Sequence, residues 1–185
     1  EETGTAIAIE RKTRDSGWGD SLYNVTMLLR DAQGKEDIRK LRLKTLEVIG
    51  DGDKSLTVFD EPRDVKGTAF LSFSHITTSD EQWLYIPALK RVKRIGSRNK
   101  SSHFMGSEFT FEDLSSFEVE KFSYKYIRDE AIDGKSYFVI ESYPKDENTG
   151  YSRLISWINQ DNYTPHKVVY YNRHKKLQKT LTFHG

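Results

Sequence analysis

Between Ser21 and Leu29 the chain reads SLYNVTMLL, where Tyr23, Val25, Met27 and Leu29 alternate with Leu22, Asn24, Thr26 and Leu28. Successive strand side chains point to opposite faces, so this period of two predicts a strand with one firmly apolar face. The alternation is clearest in IRKLRLKTLEV, where Leu41 and Leu43 face one way and Lys40, Arg42 and Lys44 the other. Such a pattern describes a sheet with one wet side. RDAQGKED supplies the turn between the two strands, with Gly34 free to take positive φ. Further strands are predicted at SLTVF (55–59), TAFLSF (68–73), QWLYI (82–86) and KRVKRI (90–95). Pro62 and Gly67 punctuate the first pair, and PALK makes a tight corner between the last two.

Two segments break this rhythm. TGTAIAIERKTRD, residues 3–15, predicts a short helix that Gly17 and Gly19 end. GSRNKSSHFMGSEFTFEDLSSF, rich in Gly, Ser and Phe, predicts a long loop with a helical turn near 108–116. Strand signals then resume. FSYKYIRDEAIDGKSYFVIESYP reads as a hairpin around Asp133-Gly134, YSRLISWINQ and HKVVYYN as a pair around Asn162 and Pro165, and KLQKTLTFH as a last strand after a turn at 172–175. Some ten or eleven strands joined by short turns predict a mainly β, antiparallel meander, and no βαβ rhythm supports a parallel sheet.

Composition narrows the chemistry. A chain of 185 residues suits a single domain, 1–185, with a core of its own. The net charge of +1 is low for a protein whose main work is gripping nucleic acid. Cysteine is absent, which excludes disulfides, thiolate nucleophiles and cysteine metal sites. No apolar run reaches the roughly 20 residues that span a bilayer as a helix. The chain starts at Glu1 rather than Met, which a trimmed leader and an artificial boundary explain equally well. The five histidines are scattered without metal-ligand spacing. Ser101, Ser102, His103, Glu112 and Asp113 lie close in sequence but lack a nucleophile elbow, so they read as polar loop residues and no catalytic residue is assigned. Asn24-Val-Thr and Asn162-Tyr-Thr match the glycosylation pattern, a motif too short to carry meaning by itself.

The order and wording of QWLYIPALKRVKRI, FMGSEFTFEDL, DGKSYFVIESYPKDENTGYSRLISWI and NYTPHKVVYY resemble the LolA-like family of outer-membrane lipoprotein-sorting proteins. DVKGTAFLSF (64–73) fits the branch of that family found beside inner-membrane transporters of the resistance-nodulation-division (RND) type. The likeness runs from about residue 20 to the end. It implies a periplasmic protein of a Gram-negative bacterium, its leader removed, with a strongly curved, half-open antiparallel barrel and short helices across the concave side. It also implies an apolar cavity for acyl chains, no cofactor and no metal. Members of that branch often continue beyond the point matching Gly185, so an incomplete C-terminal edge is expected. The only stretches suited to a lid are 1–15 and 101–116.

Exposing an acyl chain to water costs about 0.8 kcal/mol per CH₂, so a carrier needs a continuous apolar face that its own side chains leave unfilled. Candidates for that lining are Val25, Met27, Leu41, Leu43, Leu56 and Val58. Phe70, Trp83, Tyr85, Phe138 and Ile155 complete the set. Periodicity alone fits an ordinary filled core as readily; the resemblance is what implies a cavity. Phe104, Met105, Phe109 and Phe111 surround a glycine, and form either a core plug or a gate over the cavity mouth. In KRVKRI the cations Lys90, Arg91, Lys93 and Arg94 fall on both faces, which predicts an edge strand: a solvated edge, or a basic rim for anionic headgroups or an acidic partner. Stacking of nucleic-acid bases on Trp83 and Tyr85 is disfavoured by the charge balance. The expected function is a lipid or lipoprotein carrier that exchanges cargo with a membrane partner such as an RND-type transporter. The alternative is an accessory module that docks on such a transporter and carries no lipid. Neither reading makes the chain an enzyme.

Overall fold

A computed structural model of the chain describes residues 1–184. Its eleven strands are all antiparallel and lie in two sheets, neither of which closes on itself. The chain forms two compact units, Gly17–Ser116 and Glu1–Ser16 with Phe117–Gly185.

The unit Gly17–Ser116 holds six strands in sequence order: β1 (Asp20–Arg30), β2 (Glu36–Leu46), β3 (Lys54–Glu61), β4 (Ala69–Phe73), β5 (Glu81–Ile86) and β6 (Arg91–Ile95). A meander of this kind needs only short turns. At the first, the Asp31 carboxylate accepts the backbone N–H groups of Gln33 and Lys35, 2.9 Å each. The β5–β6 corner is a 3-10 turn, Pro87–Leu89, closed by Lys90 in the left-handed region (φ 47°). Lys90 therefore belongs to the corner, and the basic strand starts one residue later than the period of two suggested. After β6 the chain returns over one face of the sheet, where Phe104 and Phe111 join the buried Leu41, Phe59, Phe70, Leu84 and Ile95.

The other unit begins with the α-helix α1 (Glu2–Arg14) and continues with β7 (Phe122–Ile132), β8 (Lys135–Pro144), β9 (Tyr151–Asn159), β10 (Pro165–Asn172) and β11 (Leu177–Thr182), again paired in sequence order. The β7–β8 hairpin turns on Asp133 and Gly134 at φ 50° and 76°, the two successive positive values that a tight two-residue hairpin requires. Ile7 and Ala8 of α1 pack on Tyr124, Ile140 and Ile158. The last turn of the helix is tied down by its cations. Lys12 reaches the buried Glu118 at 3.1 Å, and Arg11 and Arg14 stand over the rings of Phe117 and Tyr163. Gly4 marks the closest approach of helix to sheet, since a Cβ there would fall 2.8 Å from the Tyr126 nitrogen. Among the described residues no helix is long and apolar enough to cross a membrane.

Candidate functional site

The pairing register sorts the apolar lining candidates. Val25 lies opposite Leu41, and Leu43 stands in one row with Thr57, Phe70 and Leu84. With Met27, two residues from Val25 along β1, these make up the face on which the returning loop packs. Leu56 pairs with Leu71 and then Trp83, while Val58 pairs with Ala69 and then Tyr85. These two rows lie on the opposite face. The expectation of one shared apolar face therefore has to be corrected: Leu56, Val58, Trp83 and Tyr85 do not join Leu41, Leu43 and Phe70. In the five-stranded sheet, Phe138 faces α1 with Ile140 and Ile158, and Ile155 faces the other way with Tyr137, Val139 and Trp157.

The physical reason lies in polar residues on the covered face. Gln82 is only 3% exposed, and its amide donates to the Phe111 carbonyl at 2.9 Å and to the hydroxyls of Ser72 and Ser115 at 3.3 Å each. The Ser74 hydroxyl accepts the Ser116 N–H at 2.9 Å. The sheet thus spends polar side chains on the loop-covered side to satisfy the loop's backbone, whose groups could not otherwise be buried cheaply. Counting hydrophobic positions along β3 and β5 consequently selects the wrong face. Phe59 and Leu84, both buried on the covered side, escape the same count.

The loop carries its own framework. His103 and Thr110 form an isolated bridge, His103 Nδ1 lies 2.8 Å from the Ser107 carbonyl, and the Ser107 hydroxyl donates to the Phe104 carbonyl at 2.7 Å. Thr110 and Asp113 form a capping box at the 3-10 turn Phe111–Leu114. Phe104 sits 5.9 Å from Phe59, 5.3 Å from Phe70 and 5.8 Å from Phe111, ring centre to ring centre. The four gate candidates therefore differ in placement. Phe104 and Phe111 are buried in the cluster, whereas Met105 and Phe109 are half-buried at its border. The loop tip, Met105 and Gly106, has positive φ at both residues, and Arg39 donates to the Met105 carbonyl.

Beside that tip, where β1 runs into β2, lies an open cleft of about 520 Å³. Met27, Leu29 and Phe109 give it apolar walls, and Arg30, Asp31, Lys35, Glu36, Asp37 and Glu108 line it with charge. Its size lies within the range of pockets that hold small molecules, roughly 300–1,000 Å³. Leu29 continues the Val25–Met27 alternation, which is the signal by which it was legible in the sequence. Among the described residues no cluster of three or more His, Asp or Glu could hold a metal ion. The arrangement offers apolar contact with charged edges, which is chemistry for reversible non-covalent binding.

The basic segment ends the sheet, with β6 as its edge strand. Arg94 reaches Glu81 at 3.4 Å. Arg91 and Lys93 lie opposite Ile86 and Leu84, and Val92 and Arg94 opposite Tyr85 and Trp83, so cations project from both faces of the edge.

Known proteins supply the context. A family model described only as an uncharacterized protein matches residues 51–185. Among curated proteins, none matches the chain. The crystal structure of a domain provisionally named as an outer membrane lipoprotein-sorting protein, from Vibrio parahaemolyticus, is 56% identical, with a TM-score of 0.97 over 100% of this chain and 78% of that one. A DUF1329 family protein from Desulfovibrio piger is 29% identical, with a TM-score of 0.92 over 98% of this chain and 77% of that one. A LolA superfamily protein from Nitrosomonas europaea shares the fold at 20% identity, with a TM-score of 0.74 over 98% of this chain and 78% of that one. Identity above one half along the whole chain makes the descent plain: the chain has the LolA-like fold and belongs to the family of the Vibrio domain named for outer-membrane lipoprotein sorting.

Proposed function

We propose that this chain is a periplasmic carrier that shields the acyl chains of a lipid or lipoprotein by reversible non-covalent binding, without a cofactor. The observation that carries this reading is the 56% identity, over the whole chain, to the Vibrio domain named for outer membrane lipoprotein sorting. The cleft beside Met27, Leu29 and Phe109 is the place where such a chain would enter. Each CH₂ moved from water into apolar surroundings contributes about 0.8 kcal/mol, so a guest of ten carbons is held by several kcal/mol even after ordering costs. Phe104 and Phe111 act as the fixed root of the loop, and Met105 and Phe109 as its movable tip over the mouth. Both tip residues are half-buried and one is a flexible methionine.

A second reading is favoured by one observation. Leu41, Phe59, Phe70, Leu84 and Ile95 are already covered by Phe104 and Phe111, so much of this sheet face is filled by the protein itself. A module that docks on an inner-membrane transporter, of the RND type for instance, and carries no lipid would be built in this way.

Titration with a fluorescent fatty acid tests the proposal. The wild type is expected to bind it saturably, and Leu43→Glu, which places a carboxylate on the loop-side face, is expected to weaken uptake at least tenfold. Unchanged uptake by a folded Leu43→Glu protein would remove this face from the binding site. No uptake by the wild type would favour the docking module.

A further inference from the structure

From Gln82 to Ser107 the chain contains six Lys or Arg residues and not one Asp or Glu. The rest of the protein has 23 basic residues against 28 acidic ones, so a single stretch turns a net acidic chain slightly basic. Four of these cations, Lys90, Arg91, Lys93 and Arg94, lie on the Pro87–Leu89 turn and the edge strand β6 that follows it, with Arg98 beyond the strand's far end. Among the described residues, Lys90, Arg91, Lys93 and Arg98 have no carboxylate within ion-pair distance, and only Arg94 of the strand's cations reaches one. Large apolar side chains are exposed at the same corner. Leu89 is 62% exposed, Val92 64% and Tyr85, paired with Val92, 37%.

An edge strand that merely resists aggregation is served by charge alone, and gains nothing from an uncovered valine and leucine. Uncompensated cations around exposed aliphatic and aromatic groups match a surface that is anionic outside and oily just beneath. The headgroup region of a bilayer has that profile, with Tyr favoured at the interface and Lys and Arg drawn to the lipid charge. An acidic protein surface would match the cations but would leave Leu89 and Val92 without a counterpart. We infer that the β5–β6 corner and its edge strand, with Leu89, Val92 and Tyr85 flanked by Lys90 in the turn and by Arg91 and Lys93 on the strand's other face, dock the protein reversibly on an anionic lipid bilayer. The corner lies apart from the cleft at the β1–β2 turn, and the docking does not require that the chain carry a lipid.

Co-sedimentation of the full chain with protein-free vesicles tests the inference. Vesicles containing phosphatidylglycerol are expected to retain the protein and pure phosphatidylcholine vesicles are not, with retention falling as salt screens the attraction. Each cation near the surface strengthens partitioning about fivefold, so changing Lys90, Arg91 and Lys93 together to Gln should weaken it about a hundredfold. Leu89→Ser with Val92→Ser should weaken it several-fold while keeping the salt dependence. All five positions are exposed, so folding is expected to persist and is checked by circular dichroism. Absence of wild-type binding to phosphatidylglycerol vesicles would overturn the inference, as would retention unaffected by the triple Gln change. Retention seen only when vesicles carry membrane protein would overturn it in favour of an acidic protein partner. Fatty-acid binding measured on the same variants is expected to be unchanged, so a failure of the carrier reading shows up in that assay and not in the vesicle assay.

Discussion

Gly4 illustrates how one residue can reverse a propensity argument. Glycine inside a helix costs about 1 kcal/mol relative to alanine. Here the alanine Cβ would meet the Tyr126 nitrogen at 2.8 Å and the Lys125 carbonyl carbon at 3.0 Å, both backbone atoms that cannot swing aside. Overpacking of that kind costs about 1–3 kcal/mol and outweighs the gain in propensity. Gly4→Ala is expected to lower the urea midpoint; a raised midpoint would mean that the helix can lift off β7. Phe104 is the corresponding single residue of the other unit. It is 1% exposed and meets three other phenylalanine rings, so Phe104→Ala should cost about 3–5 kcal/mol by denaturant titration. At this scale the sequence was least informative. Hydrophobicity ranks Leu56 above Thr57 and Trp83 above Gln82, yet Thr57 and Gln82 share the loop-covered face, and for Gln82 the reason is its hydrogen bond to the buried Phe111 carbonyl.

Elements were easier to read. The period of two located the strands, and Asp133-Gly134 located the hairpin, because backbone pleat and positive φ are local demands that a few residues meet by themselves. A link between two turns was not legible. His75 lies 2.7 Å from Asp51 and 3.4 Å from Glu81, joining the β2–β3 connection to the β4–β5 connection. The hydrogen bond to Asp51 raises the His75 pKa above its ordinary value, and hydrogen bonds from His75 and the backbone hold the Asp51 carboxyl down at about 2. A raised histidine adds stability that is fully present below its unfolded pKa, about 6.5, and is lost as pH rises through the higher folded value. The depressed aspartate adds stability above about 3.9 that is lost as pH falls through about 2. The link is therefore strongest from about pH 4 to about 6.5. Wild-type stability should decline as pH rises above about 6.5, and His75→Gln should decline less over the same rise in urea titrations. Equal slopes would show that the link is not formed in solution. The loop-to-sheet connection through Gln82 belongs to the same scale: Gln82→Leu removes the side-chain donor to the buried Phe111 carbonyl and should cost about 1–3 kcal/mol, with faster amide exchange confined to 103–116.

For the molecule as a whole, the antiparallel architecture and the family were legible, because strand order follows chain order and the quoted motifs span most of the sequence. The proposed binding surface was not, since it depends on which of two apolar faces the loop covers and on how much of that face the loop fills. The carrier reading needs space for a guest, which the cleft beside Met27, Leu29 and Phe109 offers. The most direct measurement is native mass spectrometry of the protein purified from the periplasm, followed by solvent extraction and lipid identification. The account predicts a bound species of lipid mass at close to one per chain, lost on extraction and regained on incubation with lipid. A protein that carries no such species and takes up none when lipid is offered would contradict it.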